Sequence, residues 1–478
     1  MTAAKSKKSA KGKPLAVVVL AAGEGKRMRS DMAKVMHPVA GKPMLHHVLD
    51  TVDALGPDKT IVVVGHDGDR VRASLDERVQ CVEQTEQLGT GHAVLQARSA
   101  LRGFAGDVLV LAGDSPLLTA SSLRAMRRLH TRKQAVATAL SMIVDNPDGY
   151  GRIVRDGDGI RIVEHRDASA DELAIDEVNT STYYFDAKFL FRALKGLGNQ
   201  NAQGEYYLTD VLEAASKRGL AECHVLADAF EGTGINDRTD LFEAEAAMQS
   251  KLVSEWMDKG VTFIDPATVY LSVDVRIGRD ATIGPNVRLE GATRIGRGAV
   301  LDGSIYLKDT IVGDGVLLRW GVVGDSAKIS KNARIGPYSH LRPDAALGED
   351  VHIGNFVEVK KSKIGDRSKA NHLAYIGDST VGRDVNIGAG TITCNYDGVD
   401  KHPTIIGDRV QIGSDTQLVA PVRLGADSYV AAGSTISRDL PAGSLGFNDK
   451  GQKIRKGWTK AFLARKAAKS KPARRRGN

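Results

Sequence analysis

The sequence predicts an α/β chain in two architectures: an α/β sheet domain, one connecting helix, and a parallel β-helix. Three observations predict it. Continuous apolar runs alternate with helical stretches as far as Asn236, one amphipathic helix follows, and from about residue 265 an apolar residue recurs every six positions. At roughly 150 residues per domain, the 478 residues allow about three folding units.

Leu15-Ala-Val-Val-Val-Leu20 reads as a buried strand, broken by Gly23-Glu-Gly-Lys26. Ile61–Val64 and Asp107–Leu111 are two further apolar runs, with helical stretches at Met44–Leu55 and His92–Leu101 between them. Strands alternating with helices predict a parallel sheet covered on both faces. Residues 239–259 then place Leu241, Ala244, Met248, Leu252 and Trp256 at helical spacing, with Asp240 as N-cap, Glu243 three residues on, and Gly260 as the stop.

Beyond this helix Ile277, Ile283, Leu289, Ile295 and Leu301 stand six apart. The same beat returns from Ile335 to Val359 and from Ile406 to Ile436. A period of six is the hexapeptide signature of a parallel β-helix, which stacks one apolar residue per face into an internal column. The beat breaks twice, at Lys369–Tyr375 and between Ile387 and Ile406, where the spacing is 19. Irregular repeats in a solenoid become loops on one face, often the binding face.

Three cysteines without a C-x-x-C pair exclude a disulfide scaffold and a zinc ribbon, and a reducing cytoplasm is expected. The apolar run Leu15–Ala22 is too short to span a bilayer, and the N-terminus lacks the apolar core of a secretory signal. Neither stable membrane insertion nor export is expected. The net charge of +8 hints at nucleic acid, but residues 1–14 hold five lysines and residues 451–478 eleven Lys or Arg, with no acid in either. Those cations exceed the total, so the rest of the chain carries about −8. The basic ends are expected to be mobile, and nucleic-acid binding is not the natural inference.

Leu20-Ala21-Ala22-Gly23-Glu-Gly25-Lys-Arg27 follows the first strand directly. Glycines there let backbone approach a phosphate, and Arg27 and Lys34 are cations of the kind that neutralise a triphosphate. Taken alone, the turn is equally ordinary strand-to-helix punctuation. Gln84 and Gln87-Leu-Gly89-Thr90-Gly-His92 suit recognition of a uracil edge, or a helix start capped by Thr90. Asp114 ends the Asp107–Leu111 run, where open α/β sheets bind ligands and a hard carboxylate suits Mg²⁺; otherwise it is a turn aspartate. Glu231–Asp237 could bring a second oxygen ligand, though locally it reads as a plain glycine-rich loop.

LAAGEGKRM with Lys34-Val-Met-His-Pro resembles the opening of sugar-1-phosphate nucleotidyltransferases. QLGTGHA (87–93), NAQGEYYLTD (201–210), GNFVEVKKS (354–362), VNIGAGTITCNYDG (385–398) and IGSDTQLVAP (412–421) extend the likeness over roughly residues 14–440. The chain thus resembles the bacterial family of bifunctional N-acetylglucosamine-1-phosphate uridyltransferases and glucosamine-1-phosphate N-acetyltransferases. The resemblance implies a Rossmann-like nucleotidyltransferase domain over 14–238, a linker helix over 239–260, and a left-handed β-helix acetyltransferase domain over 261–440. Residues 1–13 would be a disordered basic tail and 441–478 a C-terminal basic arm and tail. The left hand runs against the right-handed crossover preference, so physics alone predicts the other hand.

The resemblance further implies that the first half joins UTP to N-acetylglucosamine 1-phosphate, releasing pyrophosphate, with positioning and charge neutralisation doing the chemistry. Leu20, Ala21, Ala22, Gly23, Lys34, Gln84, Gly89 and Thr90 would hold the nucleotide and Arg27 would act on its phosphates. Asp114 and Asn236 would bind Mg²⁺, and Gly151, Glu164 and Asn179 the sugar. The second half would acetylate glucosamine 1-phosphate from acetyl-CoA, with His372 as base. Arg342, Lys360, Tyr375 and Asn386 would hold the sugar phosphate, and Ala389, Asn395, Tyr396, Ser414 and Ala432 acetyl-CoA. The product would feed peptidoglycan and lipopolysaccharide, and a homotrimer through the β-helix is implied.

Some residues depart from that pattern. Asn371 and Ser181 each stand where the family usually has glycine, and Asp449 cannot supply a basic CoA contact, leaving Lys450 or an arginine of the tail. Two other readings compete. One is a nucleotidyltransferase with a purely structural β-helix, as in ADP-glucose pyrophosphorylases, which lack the His372, Arg342 and Lys360 set. The other is a non-catalytic assembly protein, against which Arg27, Lys34 and Asp114 speak.

Overall fold

The computed structural model describes residues 13–157, 159–449 and 451–469. The expected N-terminal tail before Lys13, the candidate CoA contact Lys450 and the arginines beyond 470 lie outside them. The chain divides into two compact units, Met1–Ile277 with Pro285–Thr293, and Gly278–Gly284 with Arg294–Asn478.

Among the described residues, the first unit holds a nine-stranded sheet. Its strands are β1 (Leu15–Ala21), β2 (Lys59–Val64), β3 (Gln80–Glu83), β4 (Asp107–Ala112), β5 (Ala137–Ile143), β6 (Arg152–Asp156), β7 (Gly159–Val163), β8 (Glu177–Asp186) and β9 (Ala221–Val225). The order is β9-β5-β8-β4-β1-β2-β3, with β6 paired to β8 and β7. Strands β1, β2, β3 and β4 are mutually parallel, as the unbroken Val/Leu/Ile runs predict. The sheet as a whole is mixed, which corrects the parallel expectation. β8 runs antiparallel to both β4 and β5, because the β6–β7 hairpin, not a simple crossover helix, fills the connection from β5. Side chains alternate between two cores: Val18, Val63 and Val110 face one layer, Val19, Val64 and Leu111 the other.

The helices that matter to function are α1 (Thr90–Gln96), α2 (Ala120–Arg132), α3 (Ala187–Ala193) and α4 (Arg238–Asp258). The N-cap of α4 is Asp237, three residues before the expected Asp240. Asp237 is extended and accepts from Thr239 and Asp240, while Asp240 reaches back to close a capping box, so the acid read as the cap is its reciprocal partner. Gly260, at φ 86°, ends the turn beyond the helix as expected. Glu245 of α4 accepts from the Ala40 amide at 2.6 Å and Gln249 exchanges hydrogen bonds with Leu271 in both directions, making α4 part of the first unit.

The periodic region forms three parallel sheets of 11, 10 and 9 strands among the described residues, the cross-section of a three-faced parallel β-helix. Successive coils register Ile335, Ile353, Ala370, Ile387, Ile412 and Val430 in one buried column. A second column runs through Leu347, Ile364, Val381, Ile406 and Leu424. The extra residues after Ile387 leave the coil as a loop closed by a Tyr396–Lys401 bridge. Within the C-terminal arm, expected to be mobile, Trp458–Lys469 is a helix with Trp458 and Phe462 stacked at 4.9 Å. No helix of the described residues is long and apolar enough to cross a membrane.

Candidate functional sites

In the first unit the nucleotide and metal candidates gather at the carboxyl ends of β1, β3 and β4. Leu20 and Ala21 end β1, and Ala22 and Gly23 continue into the turn. Arg27 follows in a single 3-10 turn, Lys26–Met28, flanked by left-handed Gly25 and Arg29. A Cβ on Gly25 would lie 2.7 Å from the Lys34 stem, so only glycine lets the turn lie against that lysine. Arg238 of α4 donates to the Met28 carbonyl at 3.2 Å and anchors the turn from below. Arg27 itself is exposed and, among the described residues, has no carboxylate partner.

Lys34, Asp114 and Asn236 come together from three separate segments. The Lys34 ammonium pairs with the Asp114 carboxylate and lies 3.3 Å from the Asn236 side-chain oxygen. Residues 231–237, locally a plain loop, are tied down at both ends. Glu231 accepts from the Thr119 amide and from the Thr119 and Ser122 hydroxyls at the start of α2, and the Ile235 amide donates to the Asp114 carbonyl at 3.0 Å. Two hard oxygens therefore converge on one cation, a donor set that fits a divalent metal completed by water and phosphate oxygens.

Beside this centre Gln84 is buried, with its amide donating to the Gly89 carbonyl at 3.2 Å, and Gln87 donates to the Ala22 carbonyl at 2.9 Å. Thr90 is not the cap of α1: Gly89 occupies that position at φ 104°, and the Thr90 hydroxyl accepts from the Leu208 amide at 3.1 Å. A Cβ on Gly89 would meet the Tyr206 backbone at 2.8 Å, so the 201–210 segment is the wall that fixes this turn.

The three sugar candidates adjoin one another. The Asn179 amide donates to the Gly151 carbonyl at 2.8 Å, and a Cβ on Gly151 would approach the Glu164 carboxylate at 3.4 Å. Burial pushes the Glu164 carboxyl above its ordinary range, with the charges of Asp167, Asp210 and Glu205 adding to the shift. Burial pushes the Tyr150 hydroxyl, next to Gly151, above its ordinary value, with the charges of Asp240 and Asp114 adding and that of Arg27 opposing. Ser181 takes φ 57°, and its amide donates to the Asn179 side-chain oxygen at 3.1 Å. The glycine usual at Ser181 is thus the residue that its backbone prefers. Asn371 sits in an ordinary strand, with its side-chain oxygen buried and unpartnered.

In the second unit His372 ends the strand Lys369–His372, exposed, with Nδ1 2.9 Å from the Asn355 side-chain oxygen one coil earlier. With Nδ1–H donating to that oxygen, Nε2 keeps its lone pair, the form a base needs. Arg342 and Lys360 lie on adjacent coils, since Leu341 pairs with Val359, and Arg342 donates to Glu358 at 2.8 Å. Contact with Lys360 holds the Lys401 ammonium below its ordinary value. Neither ammonium has an ion-pair partner among the described residues, although the Asp378 charge acts on Lys401, and two cations held together make a place for an anion. Lys401, carried on the loop that interrupts the hexads, was not anticipated from the sequence; loop closure, not spacing, brings it back to Lys360. Tyr375 stands between the two ends, on the strand Tyr375–Gly377, which spans about 10 Å. Asn386 lies on the His372 sheet, one coil on from Lys369.

The five acetyl-CoA candidates separate into two groups. Ala389, Ser414 and Ala432 stack along the corner just past His372, through Gly390 to Leu373, Asp415 to Ala389 and Gly433 to Ser414 backbone bonds of 3.0, 2.7 and 2.8 Å. Asn395 and Tyr396 stand instead at the other corner, where Asn395 donates to Asp378 and lies 3.5 Å from the Tyr375 hydroxyl.

Residues 17–147 match the family of MobA-like NTP transferase domains, and residues 266–337 and 326–425 match the GMPPB C-terminal domain. The chain is 47% identical over 446 residues to the bifunctional protein GlmU of Exiguobacterium sp., covering 93% of this chain and 99% of that one. It is 50% identical over 431 residues to the protein of that name from Geobacillus sp., covering 90% and 94%. It is 46% identical over 466 residues to that from Geobacter sulfurreducens, covering 93% and 98%. With likeness at this level along both units, the chain belongs to the bifunctional GlmU family.

Proposed function

We propose that the chain makes UDP-N-acetylglucosamine in two steps, acetylating glucosamine 1-phosphate in its second unit and uridylylating the product from UTP in its first. The observation that carries this reading is the pairing of two constellations: Lys34, Asp114 and Asn236 in one unit, His372 with Asn355 and the Lys360–Lys401 pair in the other. A phosphate held by Arg342, Lys360 and Lys401 places a sugar across Tyr375, with its amine toward His372. Nε2 then takes the proton released as the amine attacks the thioester. The Ala389–Ser414–Ala432 corner gives acetyl-CoA a narrow track without bulky side chains.

In the first unit Gln84, Gly89 and Thr90 frame the base, Arg27 and Lys34 meet the phosphates, and Glu164 and Asn179 receive the sugar hydroxyls. We assign Mg²⁺ to Asp114 and Asn236; bound there, it supplies charge neutralisation on the phosphates. Lys34 holds those two oxygens here, and with a divalent cation on them its ammonium would be available to meet phosphate. The free Cys81, Cys223 and Cys394 suit a reducing cytoplasm.

The separation of Asn395 and Tyr396 from the Ala389 corner supports a homotrimer, in which a neighbouring copy supplies them to the same acetyl-CoA. Tyr338, Phe356 and Leu373, exposed by 54, 57 and 61%, form an apolar strip on successive coils at the His372 edge that such a neighbour would cover. The test uses the full-length enzyme in two separate reactions, free thiol from glucosamine 1-phosphate with acetyl-CoA and pyrophosphate from N-acetylglucosamine 1-phosphate with UTP. Asp114→Ala removes pyrophosphate release and spares thiol release, and His372→Ala does the reverse. Loss of both activities in either well-folded variant would overturn the assignment of one reaction to each unit.

A further inference from the structure

A cleft of about 680 Å³ lies at the opposite end of the nine-stranded sheet from Asp114, between the turns after α1 and helix α3. The six residues of β4 put it roughly 20 Å from the metal-fitting oxygens. Its floor is apolar, built on Leu101, Phe104 and Phe191. Its rim carries Arg98, Arg102, Lys188 and Lys195, and no carboxylate lines it.

None of these four cations has an ion-pair partner among the described residues. The nearest acids along the chain are engaged elsewhere: Asp107 with Lys13 at 2.6 Å, and Asp186 with Lys13 at 3.0 Å. The clustering also runs against the body of the chain, whose net charge is about −8 outside its two basic ends. An apolar floor of this size with a rim of one sign fits a ligand with an apolar body and an anionic head.

We propose that this cleft is a second ligand site on the first unit, for an amphipathic phosphate: a monoester with an alkyl or aromatic body. The floor takes the body, and the guanidinium groups of Arg98 and Arg102 receive the phosphate oxygens with the two lysines flanking them.

The test is calorimetric titration of the full-length protein with decyl phosphate below its micellar concentration, with UTP and acetyl-CoA saturating the substrate sites. One site per chain is expected. Arg98→Glu with Lys195→Glu should weaken binding at least tenfold, and Arg102→Glu with Lys188→Glu should do the same, both leaving uridylyl and acetyl transfer unchanged without the probe. Decanol and inorganic phosphate should each bind at least tenfold more weakly than decyl phosphate. Equal affinity in the charge-reversed variants, or equal binding of decanol, overturns the proposal.

Discussion

Asn355 offers the sharpest test of the proposed base, because one substitution changes the charge facing His372 and another removes the contact without a charge. Asn355→Asp puts a carboxylate where an amide oxygen now sits, 2.9 Å from Nδ1. Two unit charges about 4 Å apart attract by about 1 kcal/mol in water and about 4 kcal/mol at an effective dielectric of 20. His372 is exposed, so the lower part of that range applies, about 1–1.5 kcal/mol or one pH unit. The carboxylate favours the imidazolium, and a base must be neutral to act. The acid limb of the acetyl-transfer rate profile should therefore move about one unit to higher pH. Asn355→Leu should leave that limb in place while lowering kcat roughly tenfold, through lost orientation of the ring. Uridylyl transfer, followed in the same samples, should keep its profile in both variants. Indistinguishable profiles for the Asp and Leu variants would refute the role given to this hydrogen bond.

Glu164 gives a prediction with a definite sign. Its carboxyl is raised in the folded state, so as pH climbs past the ordinary Glu value the unfolded chain loses its proton first and the native state loses stability. Glu164→Gln should therefore raise the thermal midpoint of the first unit at pH 8 and leave it unchanged at pH 4. The same change should raise KM for N-acetylglucosamine 1-phosphate roughly ten- to a hundredfold, by loss of a charged acceptor worth about 1.5–3 kcal/mol. Ser181→Gly relieves a left-handed serine and should raise the midpoint by about 1–3 °C in calorimetry; no change would mean the strain is absorbed elsewhere. Phe356→Asp should convert the proposed trimer to smaller species in sedimentation and abolish acetyl transfer while sparing uridylyl transfer. Wild-type protein that acetylates as a stable single chain would overturn the trimer.

The six-residue beat made the β-helix legible because each hexad is a local pattern, and Ile335 to Val430 occupy the column that the beat predicts. Asp114 was legible for a similar reason: its place at the end of an apolar run is local. What sequence spacing misses are contacts made across the fold. The antiparallel course of β8 depends on a hairpin filling the preceding connection. Asp237 and Asp240 are both plausible caps, and only the extended backbone at Asp237 decides between them. Asn355 meets His372 by stacking of coils 17 residues apart, and Lys401 returns to Lys360 only when its loop closes.

The corners of the β-helix show where function bears on its geometry. Many left-handed corners fall to glycine or to Asp and Asn, among the latter Asp280, Asn286, Asn332, Asp350, Asp384, Asp415 and Asp427. Those residues tolerate φ above zero because a short polar side chain bonds locally. At the edge that leads to His372 the same conformation falls instead to Tyr338, Phe356 and Leu373, at φ 52, 56 and 45°. A bulky residue there costs about 1–2 kcal/mol each, and the exposure of all three means that burial within the chain does not offset it. Stacking of Tyr338 on Phe356, at 5.7 Å between ring centres, returns only about 0.5–1.5 kcal/mol. A strip strained in backbone and bare of cover, ending beside the proposed base, is best accounted for by a neighbour that buries it. On that argument the acetyl site proposed above is made where two copies meet.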